Sequence, residues 1–212
     1  MKRLIGILIV TLIMVAGFCI AAPEPSILSK PGEWTADVNF QPIQQITLPV
    51  PGYSTPQRFW YVILTVTNNT GQDVGFYPKC ELMTDTLEII PSDKGVPGYV
   101  FDRIKVRHQG QYSFLEPLKQ TSRQLLQGEN NTKDIAVIWP DFDAKAKVIS
   151  LFIAGLSNET AVIYPPGMLD ENGEKKAIFL RKTLKIDYKL SGDAAFRSNA
   201  KIDLSGKSWV MR

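Results

Sequence analysis

Apolar and polar residues alternate along much of the chain after residue 33, the period of a strand with one buried face. From Trp34 to Phe40, the side chains of Trp34, Ala36, Val38 and Phe40 point one way and those of Thr35, Asp37 and Asn39 the other. Ile43 to Val50 continues as a second, irregular strand. The strongest strand runs from Arg58 to Thr67. Its Phe59, Tyr61, Ile63, Thr65 and Thr67 share one face, its Trp60, Val62, Leu64 and Val66 the other, and both faces are largely apolar or β-branched. A strand without a polar face must be covered on both sides, so this one is expected at the centre of a sheet, between two layers. Asn68-Asn69-Thr70-Gly71 ends it in a turn, because Asn and Gly accept positive φ.

Phe76 to Ile90 supplies another extended segment, broken near Pro78. One stretch has helical spacing: after Val96-Pro97, the residues Val100, Phe101 and Ile104 recur on one side of Gly98 to His108, with Arg103, Lys105 and Arg107 on the others. The pattern predicts a short surface helix inserted in a loop. Leu115 to Leu126 fits strand or helix. Ile135 to Trp139, Val148 to Ala154, Ala177 to Leu190 and Lys201 to Val210 are four further strands, and Asp170-Glu171-Asn172-Gly173 is a hairpin tip. Roughly seven to nine strands with polar turns and one helix predict a mainly β fold, a sandwich of two antiparallel sheets, with a barrel as the alternative that periodicity does not separate from it.

The N-terminus departs from this pattern. Lys2 and Arg3 precede an apolar run from Leu4 to Ala22 that ends in small residues before Pro23, the layout of a secretory signal peptide. Cleavage is expected after Ala21. Two alternatives compete with it. The run is also long enough to remain as an uncleaved anchor, and Cys19 invites lipid attachment, although Phe18 stands where a lipoprotein signal places a small residue. APEPSILSKPG, rich in proline and turn formers, then reads as a tether. The expected division is a signal peptide over 1–21, a flexible linker over 22–33 and a β-sandwich domain over 34–212, exported to the periplasm or cell surface.

Composition narrows the chemistry. Without Lys2 and Arg3 the chain carries 22 basic and 21 acidic residues, so nucleic-acid binding loses its electrostatic support. Only the stretch from Lys175 to Lys189 is locally basic, which a solvated strand face explains. Cys80 is the one thiol left after processing, so no intrachain disulfide is expected and a buried, inert thiol is. His108 is the single histidine, and with one cysteine it cannot complete a four-ligand zinc site. A Cys80–His108 dyad is disfavoured by their expected places on a strand and at the end of a helix.

Carboxylates remain. Asp141 and Asp143 flank Phe142 in an extended loop, where they would suit calcium or the acid–base pair of a hydrolase, against the plainer reading of an acidic turn. Asp170, Asn172 and Glu174 begin like a calcium loop but lack its glycine and distal glutamate. Asn68, Asn130 and Asn158 each open an Asn-x-Ser/Thr triplet, and all three are read as turn residues rather than glycan acceptors. No metal, cofactor or catalytic residue is assigned. Of the many aromatics most are expected in the core, while Tyr77 and Tyr99, in or near loops, are the candidate ligand contacts.

Trp60 to Thr86, WYVILTVTNNTGQDVGFYPKCELMTDT, resembles the opening of bacterial extracellular immunoglobulin-like domains of the telokin-like type: an aliphatic strand, an Asn-rich turn, and a polar stretch into a second strand. LLQGENNTKDIAVIWPDFD, Leu125 to Asp143, is similar to the family's Leu-x-x-Gly-Glu step before a strand ending in an aromatic residue and Pro, and ISLFIAGL, Ile149 to Leu156, to the strand that follows. The helix near Phe101 and the basic strands after Ala177 lie outside that pattern. The resemblance implies an immunoglobulin-like antiparallel sandwich, into which the helix near Phe101 would be inserted. It also implies a binding or surface module without catalytic residues.

The expected function is therefore an exported, non-catalytic binding or structural module of a bacterial envelope that engages a protein or glycan partner. It would meet a membrane only through a retained signal segment. A carboxylate-dependent envelope hydrolase is the alternative, and a subunit that polymerises through open sheet edges is a third reading.

Overall fold

The computed structural model describes residues 32–212, without the side chains of 194–196. The expected signal peptide and most of the expected linker lie outside the described residues. Two antiparallel sheets share one core. The first is built on β3 (Gln57–Thr67), which has neighbours along both edges. Along one edge run β1 (Asp37–Phe40) and β2 (Gln44–Leu48), paired end to end with its two halves; along the other runs β9 (Lys133–Pro140). A two-residue parallel pairing adds β7 (Glu116–Pro117) outside β9.

The second sheet has the order β6 (Ile89–Pro91), β5 (Lys79–Thr84), β10 (Val148–Ala154), β12 (Ile178–Ser191). On its far side β12 carries β13 (Lys201–Met211), and its first residues pair with β11 (Thr160–Ile163). Arg181 exchanges backbone bonds with Arg212 on the β13 side, so β11 lies on the same edge of β12 as β10. A short pair, β4 (Val74–Gly75) with β8 (Gln124–Leu125), completes the strands.

Between the sheets Trp60, Val62 and Leu64 of β3 and Val137 of β9 meet Leu82, Leu151, Leu184 and Ile186 of the second sheet, all buried. The opposite side of β3 is equally dry. Phe59, Tyr61 and Ile63 pack there with Ile138 of β9 against α1 (Gly98–His108) through Val100 and Ile104. Each such buried aliphatic side chain contributes about 1.5–3 kcal/mol. The helix spans the expected residues and, as an insertion between β6 and β7, lays its apolar side on the first sheet. The requirement that β3 be covered twice is met by one sheet and one helix.

Other segments differ from the sequence reading, and Phe76 to Ile90 is not one extended segment but contains the β5–β6 hairpin. Leu115 to Leu126 is neither one strand nor one helix: β7, a 3-10 turn over Leu118–Gln120 and β8 divide it. β11 was not expected, because Thr160–Ile163 is short and mostly exposed, which leaves no alternation to detect.

The turn after β3 is organised by Asn68, which is buried. Its Nδ2 donates to the carbonyls of Gln72 and Leu125, both at 2.8 Å, and its Oδ1 accepts from the Thr70 amide and hydroxyl. Asn158 plays a similar part, accepting from the Trp34 amide at 2.7 Å and donating to the Gly32 carbonyl. At the outer edge of the second sheet, β13 is interrupted by a bulge opposite Asp187/Tyr188 and carries Lys201 and Lys207, devices that discourage pairing with another edge. Replacing Asn68 with Ala removes four hydrogen bonds and leaves the buried Leu125 carbonyl without this donor. Urea denaturation should show a loss of about 3 kcal/mol.

Candidate functional site

Tyr77 stands between β4 and β5 with its side chain 66% exposed. Its position is fixed by close backbone contact. Between β10 and β11 the chain turns through Gly155 at φ +89°, and a Cβ there would lie 2.5 Å from the Tyr77 carbonyl oxygen and 2.8 Å from Pro78 Cα. Only glycine combines that φ with that approach. The Tyr77 ring also leans on Gly75, where a Cβ would come within 3.1 Å of Cε2. An exposed aromatic is thus held by its own main chain.

Two clefts open on either side of this ring, of about 470 and 390 Å³, and Tyr77 and Arg181 line both. The larger lies on the outer face of the second sheet. Phe152, Phe179, Lys79, Glu81 and Arg212 contribute to it. Phe179 is 71% exposed. Glu81 is shared between Lys79 and Arg212, each 2.9 Å away, and the Arg212 guanidinium rests on the Phe152 ring with a 4.2 Å centroid distance. The hydrogen bond from Lys79, and then the charge of Arg212, hold the Glu81 carboxyl below the usual glutamate range. Arg181 is exposed, and its guanidinium has no hydrogen-bond or ion-pair partner among the described residues. Three cations against one carboxylate make this cleft electropositive.

The smaller cleft has Trp34, Gly155, Asn158 and Glu159 on its walls. Its acid is already engaged: Glu159 accepts from Thr35 at 3.0 Å and from Lys182. That leaves Arg181 and the Tyr77 ring as the unspent groups at the junction of the two clefts.

The other candidates occupy structural positions. Tyr99 sits in the first turn of α1, partly buried, and its hydroxyl donates to the Pro49 carbonyl at 2.9 Å. It belongs to the helix layer over the first sheet and is not brought to the Tyr77 clefts. Asp141 accepts from Trp60 Nε1 at 2.7 Å and faces Arg58 at 3.3 Å, so it closes the end of the core. Asp143 accepts from the Lys145 amide, the main reason its carboxyl lies below the ordinary aspartate range. Cys80 is buried in the core between the sheets, with its thiol pushed up by burial, whereas His108 Nε2 lies 3.0 Å from the Tyr61 hydroxyl on the helix side. The first sheet separates them. Burial, aided by Arg107, lowers the His108 pKa. Asp170 forms a hairpin tip, its Oδ1 accepting from the Asn172 and Glu174 amides. Among the described residues no three His, Cys, Asp or Glu side chains are grouped to hold a metal ion, and no helix is long and apolar enough to cross a membrane.

Phe179, Arg181, Arg212 and Gly155 were not anticipated from the sequence. A signal for the first two existed: Phe179 falls on the same face of its strand as Arg181, Lys185 and Asp187, an aromatic on a charged side. No protein-family model, no curated protein and no solved structure matches the chain.

Two outcomes are expected. Gly155→Ala should destabilise the fold by about 2 kcal/mol or more in a denaturant titration, because strain and overlap act together. Glu81 binds its proton less tightly folded than unfolded, so its stabilising contribution is present above the ordinary glutamate pKa of about 4.3 and is lost as pH falls through the lowered folded value. Melting curves of wild type and Glu81→Gln should therefore differ at neutral pH and converge on acidification.

Proposed function

We propose that the chain is an exported, non-catalytic binding module of a bacterial envelope, with an immunoglobulin-like sandwich, that holds an acidic glycan or protein partner in the clefts around Tyr77. The observation that carries this reading is the pairing of a rigidly placed, exposed tyrosine with an unpaired arginine at the junction of two clefts. Aromatic faces bind the apolar faces of sugars and peptide side chains, and a free guanidinium takes carboxylates in a bidentate fork. Phe179 extends the apolar floor, and the excess of Lys79, Arg181 and Arg212 over Glu81 favours an acidic partner.

The hydrolase reading has less support. Asp141 is committed to Trp60 and Arg58, and Asp143 to the backbone of its own turn.

Binding of the mature domain to isolated cell-wall glycan and to an envelope protein extract tests the proposal and separates the two partner classes. Retention by one of them, weakened about tenfold or more in both Tyr77→Ala and Arg181→Ala while the melting temperature is kept, is the expected result. Equal retention of wild type and variants would place the contact elsewhere.

A further inference from the structure

Asp93 brings together features that an ordinary turn residue avoids. It is 7% exposed, its backbone lies in the left-handed region at φ +60°, and its carboxyl has no hydrogen-bond partner among the described residues. The backbone is well tied: the amide donates to the Ile138 carbonyl at 2.7 Å, and the carbonyl accepts from Lys119 Nζ at 2.8 Å. Aspartate tolerates left-handed turns better than most residues, which accounts for the φ. It does not account for a nearly buried side chain whose carboxyl oxygens keep a little accessible surface and receive no protein donor, so that what enters the cavity must serve them. Burial holds this carboxyl above the usual aspartate range, and the Lys119 charge draws it part of the way back.

Asp93 lines a cavity of about 400 Å³ between the start of α1 and the Pro117–Gln120 segment. The helix begins there with Pro97 as its cap. No side chain caps its free amides, and no acidic residue occupies its first turn, so the positive pole is uncompensated. The same cavity therefore presents an anion without a donor and a helix terminus without an anion. Asp102 adds a second carboxyl and Lys119 an ammonium, while Phe101, Pro117 and Ile138 supply apolar wall. A ligand carrying a single charge would satisfy one half of this arrangement and be repelled by the other.

We propose that the cavity binds a free α-amino acid with an apolar side chain. Its ammonium meets Asp93, with Asp102 beyond, and its carboxylate meets the α1 N-terminus and Lys119. Its side chain lies against Phe101, Pro117 and Ile138. The site is on the helix side of the first sheet, apart from the Tyr77 clefts on the second.

Titration of the 15N-labelled domain with L-leucine, followed by amide chemical shifts, tests this. N-acetyl-L-leucine lacks the ammonium and L-leucinamide lacks the carboxylate. Leucine should shift amides around Gly98 and Lys119 at millimolar concentration or below, with both analogues, and Asp93→Asn titrated with leucine, weaker by about tenfold or more. Asparagine keeps the turn preference and the size of Asp93. Should that variant not fold, the two analogues decide the matter alone. Tyr77→Ala should bind leucine like wild type, so failure of the cleft reading and failure of this one are told apart. No leucine shifts, an analogue that binds as tightly as leucine, or unaltered leucine binding by Asp93→Asn would overturn the proposal.

Discussion

The arrangement of the molecule depends on one constraint: β3 has no face that tolerates water. Trp60, Val62 and Leu64 on one side and Phe59, Tyr61 and Ile63 on the other are all buried. A single sheet-on-sheet contact would leave the second set wet, at a cost of about 1.5–3 kcal/mol for each side chain. The helix α1 is thus a necessary third layer, and the chain between β6 and β7 is long enough to supply it. Asn68 closes β3 at one end and the Trp60–Asp141–Arg58 contact closes it at the other. Both β3 and β9 contribute side chains to each of the two cores.

Because the helix occupies the outer face of the first sheet, that face is largely spent on packing. The outer face of the second sheet is left to solvent, and there the charged and aromatic residues of β5, β10 and β12 stand side by side. Alternation explains why: inward Cys80, Leu82, Ile153 and Leu184 oblige Lys79, Glu81, Phe152 and Lys185 to face out. The turn through Gly155 between β10 and β11 then turns a flat face into clefts. Gly155 lets the Tyr77–Pro78 backbone come against it, which raises an aromatic ring above the sheet.

Strand identity was legible where alternation ran for six residues or more. Arg58 to Thr67, Val148 to Ala154, Ala177 to Leu190 and Lys201 to Val210 correspond within a residue or two to β3, β10, β12 and β13. Pairing was not legible, since the period of a strand says which way side chains point and nothing about which strand lies beside it. The helix was read correctly in span and in its apolar side, but the sheet that this side covers was not legible. Val100 and Ile104 are its buried residues, with Tyr99 and Phe101 packed beside them. Tyr77 was visible as an aromatic next to a proline, but the partners that give it a setting come from residues about 75 to 135 positions further along the chain. Asp93 carried no sequence signal, because Ser-Asp-Lys-Gly reads as an ordinary turn and only the folded chain shows that it is buried.

The clasp between Trp34 and Asn158 joins residues 124 positions apart, and the Thr35–Ser157 bridge lies beside it. Loops of that size close slowly, since the entropy of bringing the ends together precedes any reward from the contact. The Trp34–Asn158 clasp therefore forms only after most of the strands between them have been made, whereas β1 finds its partner by residue Thr67.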